Sequence, residues 1–259
     1  MNSNTNFHIR ISAILVICMI IASAPKLYAQ DSAGIRNVVL VHGAFVNGSG
    51  WQQVYEILTK KGYRVSIAQT TLTTFEADVA TVKRVIDLQA GPCILVGHSY
   101  RGAVITIAGN DSKVAGLVYI AAHAPDEGES EAANGKIFPA AYKSLIKGND
   151  GWDYIDPKMF AADFSGDLPK SKADFMAYSQ TPTADVVFHA IIKNPAWKTK
   201  SVWYMVAKSD RIINPELERM YAKRANSIKT VEVDGASHSV YISHAKQVAD
   251  LITLAIKGK

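Results

Sequence analysis

The chain has 259 residues, 48% of them hydrophobic and 20% charged, with a formal net charge of +5. That balance suits one large folded domain, or a core with a small insertion, and excludes a globally disordered chain. The basic residues are scattered, with no run that would serve as a nucleic-acid footprint.

His8 and Arg10 precede an apolar run over residues 11–22, and Ser23-Ala24-Pro25-Lys26-Leu27-Tyr28-Ala29-Gln30 follows it. A basic start, a short apolar core and a small residue at the cut predict a secretory signal over residues 1–29. The product is then exported, periplasmic or secreted. The apolar run is short for a membrane span, so no stable membrane insertion is expected after cleavage; an uncleaved anchor is the alternative reading. Cleavage removes Cys18 and leaves Cys93 alone, so no internal disulfide forms. Cys93 opens an apolar strand and reads as a small core residue.

From residue 30 onward the pattern alternates. Residues 36–41 (RNVVLV) predict a buried strand that runs into the glycine-containing loop His42-Gly43-Ala44-Phe45-Val46-Asn47-Gly48. Residues 51–61 have helical spacing and stop at Gly62. A second strand follows over 63–68, then an amphipathic helix over 74–89. Cys93 to Val96 is a third strand, and it leads into Gly97-His98-Ser99-Tyr100-Arg101-Gly102 and a helix through Ala108. Residues 114–121 (VAGLVYIA) are a fourth strand. Continuous apolar strands alternating with helices predict an α/β fold, with a mostly parallel sheet covered on both faces.

The character changes over about 124–195. Short pieces are broken by Pro139, Gly148, Gly151, Pro157, Gly166, Pro169 and Pro182, and aromatics are scattered among them. This stretch predicts a helical cap insertion over the active end of the sheet. Most of its aromatics form the cap's own core, and a minority line a pocket. Sheet character resumes at 201–207. A helix over 215–225, a strand over 229–233 and a closing helix over 245–256 complete the chain.

Three residues stand at the carboxyl ends of predicted strands, where such sheets bind ligands: Ser99, Asp210 and His238. A serine hydroxyl is a weak nucleophile until a base takes its proton and donors receive the resulting charge. His238 is the candidate base, and Asp210 the group that orients it. Asp126 also follows a strand and is the alternative acid. His98 should point away from the pocket, and His244 reads as structural. The oxyanion donors are expected at Tyr100 N–H and at Ala44 or Phe45 in the first loop. His123 and His189 sit at the cap as candidate substrate contacts, with a structural role as the plainer reading.

These motifs carry a resemblance. HGAF at 42–45 with Trp51, GHSYRGAVIT at 97–106, VYIAAHAPDEGES at 118–130, NPAW at 194–197, SDRIINPELE at 209–218 and ASHSVYISH at 236–244 resemble the α/β-hydrolase superfamily. The small-cap branch with plant methyl esterases and hydroxynitrile lyases, and bacterial esterase-like relatives, is similar. The resemblance implies the α/β-hydrolase fold, Ser99 as nucleophile, Asp210 as acid, His238 as base, Ala44 and Tyr100 as oxyanion donors, and no cofactor or metal. It speaks poorly to substrate, since the fold hosts many chemistries. One position departs: Arg101 stands where a G-x-S-x-G motif has its last glycine. Its long side chain is expected to leave the elbow toward solvent or the cap, paired with a carboxylate. The alternatives are a substrate contact at the pocket rim, beside Phe45, or a distorted elbow.

The expected activity is hydrolysis of carboxylic esters or lactones, with a small-molecule substrate that could be as large as a macrolactone. A cyanohydrin lyase and a non-catalytic ligand-binding relative are the rivals. Oligomeric state is not legible.

Overall fold

The computed structural model describes Met1 and residues 34–259; the expected export signal over 1–29 otherwise lies outside the described residues. The core elements follow in chain order as β1 (Asn37–Val41), α1 (Gln52–Lys60), β2 (Arg64–Ala68), α2 (Phe75–Asp87), β3 (Cys93–Ser99), α3 (Arg101–Ala108) and β4 (Val114–Ala122). The cap follows with α4 (Glu131–Ile137), β5 (Leu145–Lys147), β6 (Trp152–Ile155), α5 (Pro157–Phe164), α6 (Lys170–Tyr178) and β7 (Thr183–Ala184). The core then closes with β8 (Ser201–Ala207), α7 (Pro215–Arg224), β9 (Lys229–Val233), α8 (Val240–Ser243) and α9 (Ala245–Ile256).

Six strands form the main sheet in the order β2-β1-β3-β4-β8-β9. Every pair in it is parallel. The chain reaches β2 on one side of β1 and then crosses to β3 on the other. That reversal separates the loops after β1 and β3 and opens a crevice at their carboxyl ends. The sequence places its glycine-containing loop and its serine there.

The strands read as unbroken apolar runs because both faces are covered. Val38, Leu40, Ile94, Val96, Val118 and Ile120 pack with Val54 and Leu58 of α1 and Val248 and Ile252 of α9. The alternate residues, among them Val39, Leu95, Leu117 and Tyr119, pack with α2, α3 and α7. Helix starts follow local chemistry. Thr74 accepts the Ala77 N–H at 3.1 Å, and Asn214 accepts the Glu216 N–H at 2.9 Å ahead of Pro215. Cys93 is buried, and burial pushes its thiol up to about 11, as suits a core residue.

The cap is not wholly the helical insertion expected. Beside its helices it carries a three-stranded antiparallel sheet, β5-β6-β7. These strands span three, four and two residues, too few for a period-2 pattern to be read. A single antiparallel bridge, Phe45 to Thr181, joins the cap to the loop after β1.

Candidate active site

Ser99 ends β3 with φ of 57°, in the left-handed region that a β-carbon disfavours. The β3–β4 register slips between His98 and Ser99. Helix α3 begins two residues later, so the strand turns sharply and the serine stands on an elbow facing the crevice. Strain of this kind persists only where the surroundings over-determine it. Here three glycines let backbone close in. A β-carbon on Gly43 would lie 2.8 Å from the Ser99 β-carbon, and one on Gly97 would lie 2.7 Å from the Arg101 carbonyl oxygen. One on Gly102 would lie 2.0 Å from the His123 carbonyl oxygen. The obstacle at Gly102 is backbone on both sides, so neither can yield. Gly102→Ala is therefore expected to destabilise the fold by about 3 kcal/mol, read as a lowered denaturation midpoint in urea.

Arg101 does not leave toward solvent. Its side chain is wholly buried, 3.0 Å from Asp78 of α2. It also hydrogen-bonds the Thr70 hydroxyl and lies over the Tyr100 ring at 4.3 Å. Asp78 further accepts from Tyr100 Oη at 3.1 Å and from Leu72 N–H at 3.1 Å. The pairing with a carboxylate is as expected, but its place is inside the protein, between α2 and the elbow. Arg101 is absent from the lining of the cleft, which corrects its candidacy as a substrate contact. The same guanidinium acts on its neighbours. Burial first, and Arg101 second, hold His42 down to about 4. The neutral ring donates from Nδ1 to Gly43 O at 2.9 Å and accepts the Thr70 N–H on Nε2 at 3.3 Å.

The loops after β8 and β9 bring the other two residues to the serine. Ser99 Oγ lies 2.8 Å from His238 Nε2, and His238 Nδ1 lies 2.6 Å from Asp210 Oδ2. The second Asp210 oxygen accepts the Ile212 and Ile213 N–H groups at 2.7 and 2.9 Å. These bonds leave Nδ1–H donating to the carboxylate and Nε2 free to accept from the serine. Phe164 of the cap packs edge-on against the His238 ring, at 4.7 Å between centroids.

The alternatives fall elsewhere. Asp126 pairs with Lys198 at 2.6 Å. His244 contacts Ser243 Oγ at 2.8 Å at the start of α9. His98 faces away from the cleft and meets the His238 carbonyl oxygen through Nε2 at 2.9 Å. Burial holds its pKa well below the usual histidine range.

Phe45 N–H is taken by Thr183 Oγ1 at 3.1 Å. Among the described residues, the amides of Ala44 and Tyr100 donate to no protein acceptor. Ala44, Phe45, Ser99 and Tyr100 line a cleft of about 540 Å³ beneath the cap. His123 and His189 line it too. His123 is held down to about 3 by burial, and so is neutral. His189 stands at the rim, 3.1 Å from Asp185. Sequence reasoning missed Phe188, whose ring lies 6.1 Å from Phe45 and 5.6 Å from Tyr100. It also missed Glu131, a cleft residue whose carboxyl burial pushes well above the usual range. Nothing in spacing separates Phe188 from the other cap aromatics.

A parallel sheet of this order, with a serine elbow on β3 and a cap between β4 and β8, defines the α/β-hydrolase class of protein. The family model described as "Alpha/beta hydrolase family" matches residues 38–251, and the chain belongs to that family. Among curated relatives, the esterase PIR7B of Oryza sativa subsp. japonica is 23% identical over 265 residues, covering 86% of this chain and 96% of the relative. A carbendazim hydrolyzing esterase from Nocardioides sp. (strain SG-4G) is 36% identical over 112 residues, covering 37% of this chain and 46% of the relative. A solved methylesterase from Arabidopsis shares the fold with a TM-score of 0.72 at 16% identity, covering 87% of this chain and 100% of that one.

Proposed function

We propose that this protein hydrolyses carboxylic esters or lactones through an acyl-enzyme on Ser99. The observation that carries this reading is the chain of short hydrogen bonds from Ser99 through His238 to Asp210. His238 Nε2 takes the hydroxyl proton as Ser99 Oγ attacks the carbonyl carbon. The carbonyl oxygen gains a negative charge beside the free Ala44 and Tyr100 amides, where one such donor is worth about 3 kcal/mol of barrier. Collapse breaks the ester bond, and His238 returns its proton to the leaving alkoxide. Water then attacks the acyl group with His238 again as base. The carboxylic acid departs and Ser99 regains its proton. Asp210 holds the imidazole in the tautomer that both steps need and steadies it while charged.

The cleft supports a sizeable, partly apolar substrate. Phe45, Tyr100, Leu145, Ile155, Phe188 and Ile212 give it apolar lining, while Lys147, Asp153 and Asp185 bring charge to it. A volume of this order accommodates a drug-sized ligand. A large lactone fits the same chemistry, since ring opening only leaves the alcohol tethered to the acyl group. The names of the curated relatives, esterases among them, favour ester cleavage over cyanohydrin lysis.

A fluorophosphonate probe is expected to label the protein once, with the added mass on the peptide that holds Ser99. An intact, folded protein that takes no label would leave a ligand-binding module as the better reading. A panel of p-nitrophenyl esters and lactones of graded size then reads the acyl preference.

A further inference from the structure

The loop that carries the proposed base is held by the cap on both sides of His238. Ser237, the residue before it, donates its hydroxyl to Asp167 Oδ1. Ser239, the residue after it, donates its N–H to the Phe164 carbonyl oxygen at 3.1 Å. The Ser239 hydroxyl lies 3.1 Å from the same carbonyl oxygen and 2.8 Å from Ser165 Oγ. Ser165, Ser237 and Ser239 are all buried. Phe164 ends α5, and Ser165 and Asp167 lie in the segment that leads from it to α6.

None of these groups belongs to the triad, and none is among the residues that line the cleft. Their effect falls on His238. Its imidazole has to keep two directed bonds at once, 2.8 Å to Ser99 Oγ and 2.6 Å to Asp210 Oδ2. A displacement of about 1 Å at such a group can cost about 10²-fold in rate. On the core side, the His238 carbonyl oxygen is fixed 2.9 Å from His98 Nε2. On the other side the fixing groups belong to the cap.

A hydroxyl has one proton to give. At Ser237 that proton goes to Asp167, because a carboxylate is a stronger acceptor than the Phe164 carbonyl oxygen 3.3 Å away. The Ser237 oxygen is then turned to accept the Ser239 N–H at 3.2 Å. Asp167 thus orients the hydroxyl that bridges the two neighbours of His238. Its other oxygen, Oδ2, lies 3.6 Å from His244 Nδ1, too far for a hydrogen bond.

We propose that Asp167 is a positioning residue for the catalytic base: acting through Ser237, it keeps the His238 imidazole in line with Ser99 and Asp210, so that the cap completes the site as well as covering it. The proposal rests on the Ser99–His238–Asp210 reading.

The test uses the full chain, with p-nitrophenyl acetate as substrate and a fluorophosphonate probe to time the reaction of Ser99 itself. Asp167→Ala removes the acceptor. Its kcat and its labelling rate should each fall by about tenfold. Because His238 serves both acylation and deacylation, KM should stay within about twofold of the wild type. Asp167→Asn keeps an oxygen acceptor and should recover most of the loss. Ser237→Ala removes the hydroxyl and should cost about as much as Asp167→Ala. The two alanine changes together should cost little more than either alone, because both break one bond.

A folded Asp167→Ala with unmoved kcat and labelling rate would overturn the proposal. A loss confined to KM would do the same, since it would make the cap a shaper of the cleft. So would losses that multiply in the double variant, or an Asp167→Asn as slow as Asp167→Ala. If Asp167→Ala does not fold, Ser237→Ala decides by the same split between kcat and KM, since it removes only a hydroxyl. A wild type that takes no label at Ser99 removes the triad reading itself, whereas a labelled wild type beside unmoved Asp167 variants removes only the role of Asp167.

Discussion

Replacing Ser99 by alanine is expected to lower kcat for ester hydrolysis by about 10⁴-fold or more, while the thermal unfolding transition stays close to that of the wild type. The size follows from what is removed. The Oγ atom is both the proposed nucleophile and the donor at 2.8 Å to His238 Nε2, so on that reading covalent catalysis ends with it. A 10⁴-fold loss corresponds to about 5.5 kcal/mol of barrier. What remains is attack by water on a carbonyl still held beside the Ala44 and Tyr100 amides. Stability should hardly change, because alanine and serine meet the same constraint at φ of 57°. The loss of one hydrogen bond to a histidine that remains packed against Phe164 is a small term. Steady-state kinetics and a melting curve on the same preparation check both halves. Surviving turnover would disprove the acyl-enzyme route.

The second large effect is on folding rather than chemistry. Arg101→Leu should destabilise the protein by about 3–5 kcal/mol, because it leaves the Asp78 carboxylate buried with no cation at 3.0 Å. Against a typical total of about 5–15 kcal/mol, such a loss endangers the fold. The penalty is mostly that of a stranded charge. Arg101→Leu combined with Asp78→Asn removes both charges and should recover the greater part of it. In the double variant the amide oxygen of residue 78 can still accept from Leu72 N–H or from Tyr100 Oη, the present partners of Asp78. Chemical denaturation of the wild type, the single variants and the double variant measures the coupling. A substrate contact would give the opposite pattern, with KM raised and stability untouched. Arg101→Gly follows the same logic: it restores the usual elbow glycine and still strands Asp78.

The core strands and the cap were legible in different degrees. The unbroken apolar runs at β1, β3, β4 and β8 announce strands covered on both faces, and the structure places all four side by side in a parallel sheet. Ser99, Asp210 and His238 could be grouped from sequence because Ser99 ends β3, Asp210 follows β8 and His238 follows β9, and in this topology the strand ends converge. The residue pattern left Ala44 and Phe45 both open, and only the family resemblance pointed to Ala44. The choice depends on Thr183, 138 residues away from Phe45, accepting one amide and leaving the other free. The cap was legible only as a change of character. Its strands are too short for a pattern, and its aromatics look alike until packing sends Phe188 to the cleft, Phe164 to His238 and Phe175 to solvent.

What this sequence determined by itself is the run of core elements and which residues stand at their ends. Both depend on local causes: the period of apolar residues, capping groups, and glycines where backbone must approach. What only the tertiary structure decided is the destination and charge of long polar side chains. Arg101 reads from sequence as a group seeking water, because a guanidinium is costly to bury alone. It is buried because the fold brings Asp78, Thr70 and Tyr100 to it. Glu218 is one more acid within a helix. The fold buries it fully, and that burial pushes its carboxyl well above the usual range.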